Sequence, residues 1–323
     1  MGRHYSAADE PESESDWEEA FAAALEGTVP PALGGLRFDQ ALAKMFPQYS
    51  RNRLQTWLKS GHITVNGGPM EGSAKAVGGE QVELAPPPAA DVELPPAQKM
   101  PLAIVHEDAE LLVLDKPAGL IVHPGAGNPD RTLMNGLLAH APGQRQVPRA
   151  GIVHRLDKDT SGLLVVAKSV SAQANLAAQL AARTVKRTYL AVVHGDPPGR
   201  GTVDEPIGRD TRNRTRMAVT RRGKEARTHF RVLERYGHAA LLECRLDTGR
   251  THQIRVHLQH IRHPVIGDPV YRRNMRHGID FARQALHATE LELVHPRSGK
   301  SMRWSAPLPA DMEKLVAQLR RDA

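Results

Sequence analysis

The apolar run Leu163-Leu164-Val165-Val166-Ala167 follows directly on His154-Arg155-Leu156-Asp157-Lys158-Asp159-Thr160-Ser161-Gly162, which carries six charged or hydroxyl-bearing side chains. Consecutive apolar residues rich in Val and Leu have the length and composition of a buried strand. The polar segment is then a loop carried at the end of a rigid element, where function often resides.

A chain of 323 residues has room for about two domains and a sizeable core. Hydrophobic residues make up 40%, and no apolar run approaches the roughly 18 residues that cross a bilayer. The amino terminus has no apolar core for a signal peptide, so a soluble, cytoplasmic protein with no membrane partner is expected. The lone Cys244 alternates with Leu242 and Leu246 and reads as a small buried hydrophobe. Charge is uneven. Residues 1–35 hold eight acids against Arg3, so within a formal total of +7 the remaining residues carry +14. A body that basic suggests a polyanionic partner, and the acidic head at 1–35 reads as a disordered or partly helical tail.

Residues 36–85 form the first organised unit. Phe38, Ala41, Leu42 and Met45 fall at helical spacing before Pro47, which ends a helix. Ser50 suits the N-cap of a second helix with Leu54, Trp57 and Leu58 on one stripe, closed by Gly61. Ile63-Thr64-Val65 is a strand running into the Asn66-Gly67 turn. Arg37, Lys44, Arg51, Arg53 and Lys59 against Asp39 would suit an RNA backbone. A Pro-rich linker is expected at 86–100, followed by a second domain over 101–323. There, strands are expected at Leu111–Leu114 and Leu120–Val122, flanking a turn at Lys116–Gly119, with a helix from Thr132 to His140. A helix over Ser171–Arg183 and a strand over Arg187–Val193 come next. Nine basic residues between 209 and 231 face Asp210 and Glu225, which resembles a phosphate-contacting arm. Strands at 226–235 and 239–247, a helix from Thr251 and a closing helix from Ala310 complete a mixed α+β body with more strands than helices.

Several chemistries are excluded by spacing. Val294 stands where a P-loop ending in Gly299-Lys300-Ser301 needs its first Gly. Gly125-Ala126-Gly127 lacks the third Gly of a dinucleotide fingerprint, and Leu156 separates Arg155 from Asp157 where a kinase loop would not. No His-Glu-x-x-His occurs and one cysteine rules out thiolate zinc sites, so no metal site is expected. Without metal or nucleotide, Asp157 is a candidate nucleophile or general base beside a guanidinium. Asp159 and Lys158 are alternatives, Asp159 also suiting a structural role that caps backbone N–H groups. A salt-bridged turn without catalysis is the plain alternative for the whole loop.

Residues 36–85 resemble the alpha-L RNA-binding domain through Arg37-Phe38-Asp39, Ser50-Arg51-Asn52-Arg53-Leu54 and Gly61–Gly67. The segment Val147–Gly162 resembles the catalytic loop of the RluA family of RNA pseudouridine synthases. Leu114–Leu120, Lys186–Tyr189, Thr248–His257 and His263–Tyr271 fit the same family in order, extending the resemblance over about 36–308. His123–Asn128 and Gly201–Ile207 are most similar to members acting on large-subunit ribosomal RNA. The resemblance implies an α+β, mixed but mainly antiparallel sheet of the pseudouridine synthase fold, preceded by the small alpha-L domain. It implies cofactor-free isomerisation of uridine to pseudouridine, by a monomer whose partner is large-subunit ribosomal RNA or the pre-ribosomal large subunit. By the same resemblance Asp157 is the catalytic aspartate, Arg255 the basic residue that pairs with it, and Tyr189 the aromatic that stacks on the base. Arg155 is implied to fill the gap left by a flipped nucleotide. Arg37, Arg51, Arg53, Lys59, Arg212, Arg214, Arg216, Arg221 and Arg222 are further RNA-binding candidates. The rivals are an RNA-binding ribosome assembly factor without catalysis and an N-glycosidase that releases uracil.

Overall fold

The computed structural model describes residues 25–46, 49, 51–85, 94–125, 127–211, 213, 216–271 and 279–323, excepting the side chains of Asn52 and Arg53. The tail before residue 25, Pro47, Ser50, the prolines at 86–88, the Arg53 side chain, Arg212 and Arg214 lie outside the described residues. The chain divides into two compact units between Glu93 and Leu94.

The first unit contains β1 (Leu25–Thr28), α1 (Phe38–Met45), α2 (Arg51–Lys59), β2 (Ile63–Val65) and β3 (Gln81–Leu84). Both helices bury the stripe that their sequence spacing marks: Phe38, Ala41, Leu42, Leu54, Trp57 and Leu58 join Ile63, Val82 and Leu84 in one core. The three strands pair antiparallel in the order β1-β3-β2. Among the described residues, Leu25–Val29 join this unit ahead of Leu36. Leu25 sits opposite Leu84 in the β1–β3 register, and Val29 is fully buried, so residues expected in the acidic tail complete the sheet.

The second unit runs β4 (Ile104–Glu107), β5 (Leu111–Lys116), α3 (Leu133–His140), β6 (Ser161–Ala167), α4 (Val170–Ala181), β7 (Lys186–His194), β8 (Arg200–Asp204), β9 (Ile207–Arg209), β10 (Met217–Val219), β11 (Arg227–Arg235), β12 (Ala239–Leu246), α5 (Gln253–His260), β13 (Leu286–Val294), β14 (Ser301–Ser305) and α6 (Ala310–Asp322). Residues 96–98, expected in the linker, are tied to this unit. Asn135 Nδ2 donates to Pro96 O at 2.8 Å and Gln98 Oε1 accepts from Arg131 N at 2.7 Å. The main sheet has the order β4-β5-β6-β13-β7-β12-β11-β8, with β14 on β13. Every pair among these described strands is antiparallel except β6 with β13. β6 is buried along its whole length, as its unbroken apolar run requires. Leu120–Val122 is not a strand. Its carbonyls are consumed locally, Leu120 O by Lys116 Nζ, Ile121 O by Leu133 N and Val122 O by Met134 N, so no ladder partner is left to seek.

Register fixes which way the sheet's side chains point, because directly opposed residues share a face and neighbours along a strand alternate. Tyr189, Cys244, Phe230 and Gly201 are opposed across β7, β12, β11 and β8. Thr228, two residues from Phe230, shares that face and bonds to Gln253 Nε2 at 3.0 Å and His257 Nδ1 at 2.9 Å. Helix α5 therefore lies on the Tyr189 face. Cys244 is fully buried there and burial, then Glu243, pushes its thiol up to about 12, which suits a core residue.

Candidate active site

The loop carrying Asp157 is held by buried side chains from three directions. Lys116, 1% exposed, is the side chain on which two loops converge: its Nζ donates to Pro117 O (3.0 Å), Leu120 O (2.9 Å) and Lys158 O (2.9 Å). An ammonium has three N–H donors, and three carbonyls receive them. On the far side Arg283 Nη1 donates to Asp159 O at 3.0 Å, while Gln284 Nε2 donates to Thr160 Oγ1 at 3.2 Å. At the loop's start His154 Nε2 accepts from Val165 N at 3.1 Å. Burial, reinforced by the Arg187 charge, lowers this imidazole to about 3, so it serves as a neutral acceptor. Asp159 is tied into the loop through its carbonyl, which accepts from Arg283 Nη1, and Thr160 N donates to Asp157 O at 3.0 Å.

Asp157 Oδ2 accepts from Arg255 Nη1 at 2.8 Å, joining residues distant in sequence. The guanidinium is also gripped from behind, Nε to Asp268 Oδ2 at 2.7 Å and Nη2 to Asp268 Oδ1 at 3.0 Å. Asp268 is in turn fixed by Val270 N (2.8 Å) and Tyr271 N (2.9 Å), both donating to Oδ1. The Arg255 side chain is 3% exposed and that of Asp268 0%, whereas that of Asp157 is 15% exposed. The chain of charges therefore opens outward at Asp157. Burial alone would lower the arginine's pKa, but Asp268 and then Asp157 outweigh it and hold it well above the ordinary value. Burial likewise opposes ionisation of Asp268, and the Arg255 charge overcomes it, leaving its pKa lowered. A bidentate arginine–carboxylate pair fixes orientation as well as charge.

Tyr271 closes the site beneath this chain. The Arg255 guanidinium lies 5.1 Å from its ring centroid and that of Arg216 5.2 Å, within cation–π range. Its hydroxyl accepts from Met217 N at 3.0 Å and shares a hydrogen bond with His252 Nδ1 at 2.8 Å. Burial pushes this phenol's pKa up, so it stays protonated at neutral pH. His252, with the left-handed φ of 57° at the start of α5, brings Nε2 to 3.9 Å from Asp157 Oδ1. Asp268, Tyr271 and His252 carry no local signature of a site, although they stand within the segments Thr248–His257 and His263–Tyr271 that carry the family resemblance.

Tyr189 is 5% exposed and lies on the sheet face that α5 covers. Arg155 is half-buried beside His123, whose imidazole is lowered well below its usual range by burial, then by Arg155 and Arg149. In the first unit Arg37 and Arg51 converge on the buried Asp39. Arg37 reaches it through Nε (3.3 Å) and Nη2 (3.1 Å), and Arg51 Nη2 contacts both its oxygens at 3.0 and 2.9 Å, with Gln55 bonding it as well. Burial resists ionisation of Asp39, but these donors win and depress it strongly. The two guanidiniums remain 47% and 43% exposed, and Lys59 is exposed at the end of α2.

The basic stretch at 209–231 is not one arm. β9 and β10 form a two-stranded hairpin with half-buried Arg216 just before β10, the following turn exposes Arg221 and Arg222, and Arg227 and Arg231 belong to the main sheet. Neighbouring strands also supply acids that a linear count misses: Arg227 pairs with Asp204 at 2.7 Å and Arg231 with Glu243 at 2.9 Å.

Residues 110–260 match the family model described as RNA pseudouridylate synthase, and residues 36–82 match the S4 domain. The chain is 51% identical to "Ribosomal large subunit pseudouridine synthase D" of Nitrosomonas europaea, over 99% of this chain and 94% of that one. It is 48% identical to the protein of the same name from Xanthomonas campestris pv. campestris, over 92% and 93%. Among solved structures it resembles human RNA Pseudouridylate Synthase Domain Containing 1 with a TM-score of 0.54 and 28% identity, covering 70% of this chain and 97% of that one. With an S4 domain ahead of a mixed, mostly antiparallel sheet whose α5 meets the loop before β6, the chain belongs to the RNA pseudouridylate synthase family.

Proposed function

We propose that the chain isomerises uridine to pseudouridine in large-subunit ribosomal RNA, acting as a cytoplasmic monomer, with Asp157 as nucleophile or base. The reaction breaks N1–C1′, turns the uracil, joins C5 to C1′, releases the C5 proton and protonates N1. The observation that carries this reading is the Asp157–Arg255–Asp268 chain. A carboxylate aimed by a buried guanidinium keeps one direction of approach without reorganising during the reaction. Tyr189 stacks on the base and assists at C5, and Arg155 fills the space left by the flipped nucleotide. Arg37, Arg51 and Lys59 of the S4 unit, with Arg216, Arg221 and Arg222, add phosphate contacts. The reaction and the substrate class proposed here agree with the names of the bacterial relatives.

The test uses ribosomal RNA carrying tritium at uracil C5. Wild-type protein is expected to release tritium, and Asp157→Asn to fall by about 10³-fold or more. Equal release from both proteins would remove Asp157 from the chemistry, and free uracil in the products would redirect the reading to hydrolysis.

A further inference from the structure

The face of the main sheet opposite Tyr189 and α5 carries an open groove of about 690 Å³. Its lining comes chiefly from the residues that alternate with the catalytic-face row, with Gly201 and Phe230 of that row between them. His229 is opposed to both Thr202 and Arg245, and Arg231 to both Arg200 and Glu243, so these six side chains point away from α5. We propose that this groove binds the phosphate backbone of a second RNA segment, outside the target hairpin, while the target nucleotide occupies the Asp157 side. The proposal rests on the function given above.

Charge and order argue for it. Glu243, 16% exposed, takes Arg231 Nη2 on one oxygen at 2.9 Å and Arg245 Nη2 on the other at 3.0 Å, while the two arginines are 60% and 64% exposed. One carboxylate thus sets two guanidiniums side by side with donors left for solvent. Arg200 adds a third exposed cation on β8, opposite Arg231. His229 is braced by Thr202 Oγ1 at 2.9 Å and Asp247 at 3.0 Å. Strands lie about 4.8 Å apart, so the cations form a compact row of fixed position. On this face Arg200, Arg227, Arg231 and Arg245 stand against Asp204, Glu243 and Asp247, which leaves an excess of positive charge, and planar donor forks match phosphate oxygens. An acidic protein would find the same charge, but the proposed substrate is already a polyanion, far longer than the target hairpin. A groove on the reverse of the catalytic sheet has no access to the hairpin held on the other side.

The experiment compares wild type with Arg200→Glu/Arg231→Glu/Arg245→Glu and with the corresponding triple Gln variant, on full-length large-subunit RNA and on a short target hairpin. Filter binding and tritium release are read together over a salt series. The expected result is a KM for the long RNA raised about tenfold or more, a salt slope reduced by about 2 to 3, and hairpin kinetics unchanged. Unaltered binding of the long RNA would overturn the proposal, as would an equal loss on the hairpin. Unaltered RNA binding together with lost binding of an acidic peptide spanning residues 9–26 would assign the groove to protein instead, and so also overturn it. Failure of wild type to release tritium from either RNA would reject the proposed function, while long-RNA filter binding would still report on the groove.

Discussion

Arg255 is held by more than the carboxylate it serves. The buried Asp268 takes two of its donors and leaves Nη1 for Asp157, so Asp268 is a positioning residue for the reaction. Asp268→Asn is expected to destabilise the protein by about 3–5 kcal/mol, as when one partner of a buried pair is removed, and to lower kcat more than it raises KM. Denaturant unfolding and tritium-release kinetics check both. The pKa of Asp268 is lowered on folding, so its stabilisation is complete above the ordinary aspartate value near 3.9 and is lost as pH falls below it. Wild type should therefore lose more stability than Asp268→Asn between about pH 4 and lower pH, measured by denaturant midpoints across that range. Arg255→Lys should cost activity despite keeping the charge, since an ammonium cannot span both carboxylates in the same plane. Cys244, buried and with its thiol pushed up to about 12, should react with a thiol reagent only on unfolding, followed by labelling with and without denaturant.

At the scale of elements, the parallel contact between β6 and β13 places the catalytic loop. Gly162 sits there with φ +114°, and a Cβ would lie 2.2 Å from Ala288 O. An L side chain is excluded both by conformation and by space. Gly162→Ala is expected to push β6 from β13 and move the loop, with loss of more than about 1 kcal/mol and a collapse of kcat. Unfolding midpoints together with tritium release would show whether both occur. The strand at 163–167 and the loop before it were legible because an unbroken apolar run has no amphipathic ambiguity. Leu120–Val122 misled because three apolar residues carry the same composition whether they pair in a sheet or pack beneath a loop, and Lys116 decides between them by taking the Leu120 carbonyl.

Over the whole molecule, charge is segregated along the chain, with acids concentrated in residues 9–26 of a protein of formal charge +7. Removing residues 1–24 is expected to tighten RNA binding at low ionic strength, with the difference vanishing as salt screens it. Affinity unchanged at low salt would reject competition between that segment and RNA. The sequence by itself located the helices and the strands β2, β5, β6, β7, β11 and β12, the division into an RNA-binding unit and a catalytic unit, and the loop in which Asp157 lies, because periodicity, turn residues and motif order are local properties. It named Arg255 as the partner of Asp157 through resemblance. The tertiary structure alone decided that Asp268, Tyr271 and His252 complete that chain, that β1 belongs to the first unit, and that the 209–231 cations divide among a hairpin, a turn and the reverse face of the sheet. Those are relations among residues far apart in sequence, created by strand register and by the burial of opposite charges together, and no local pattern records them.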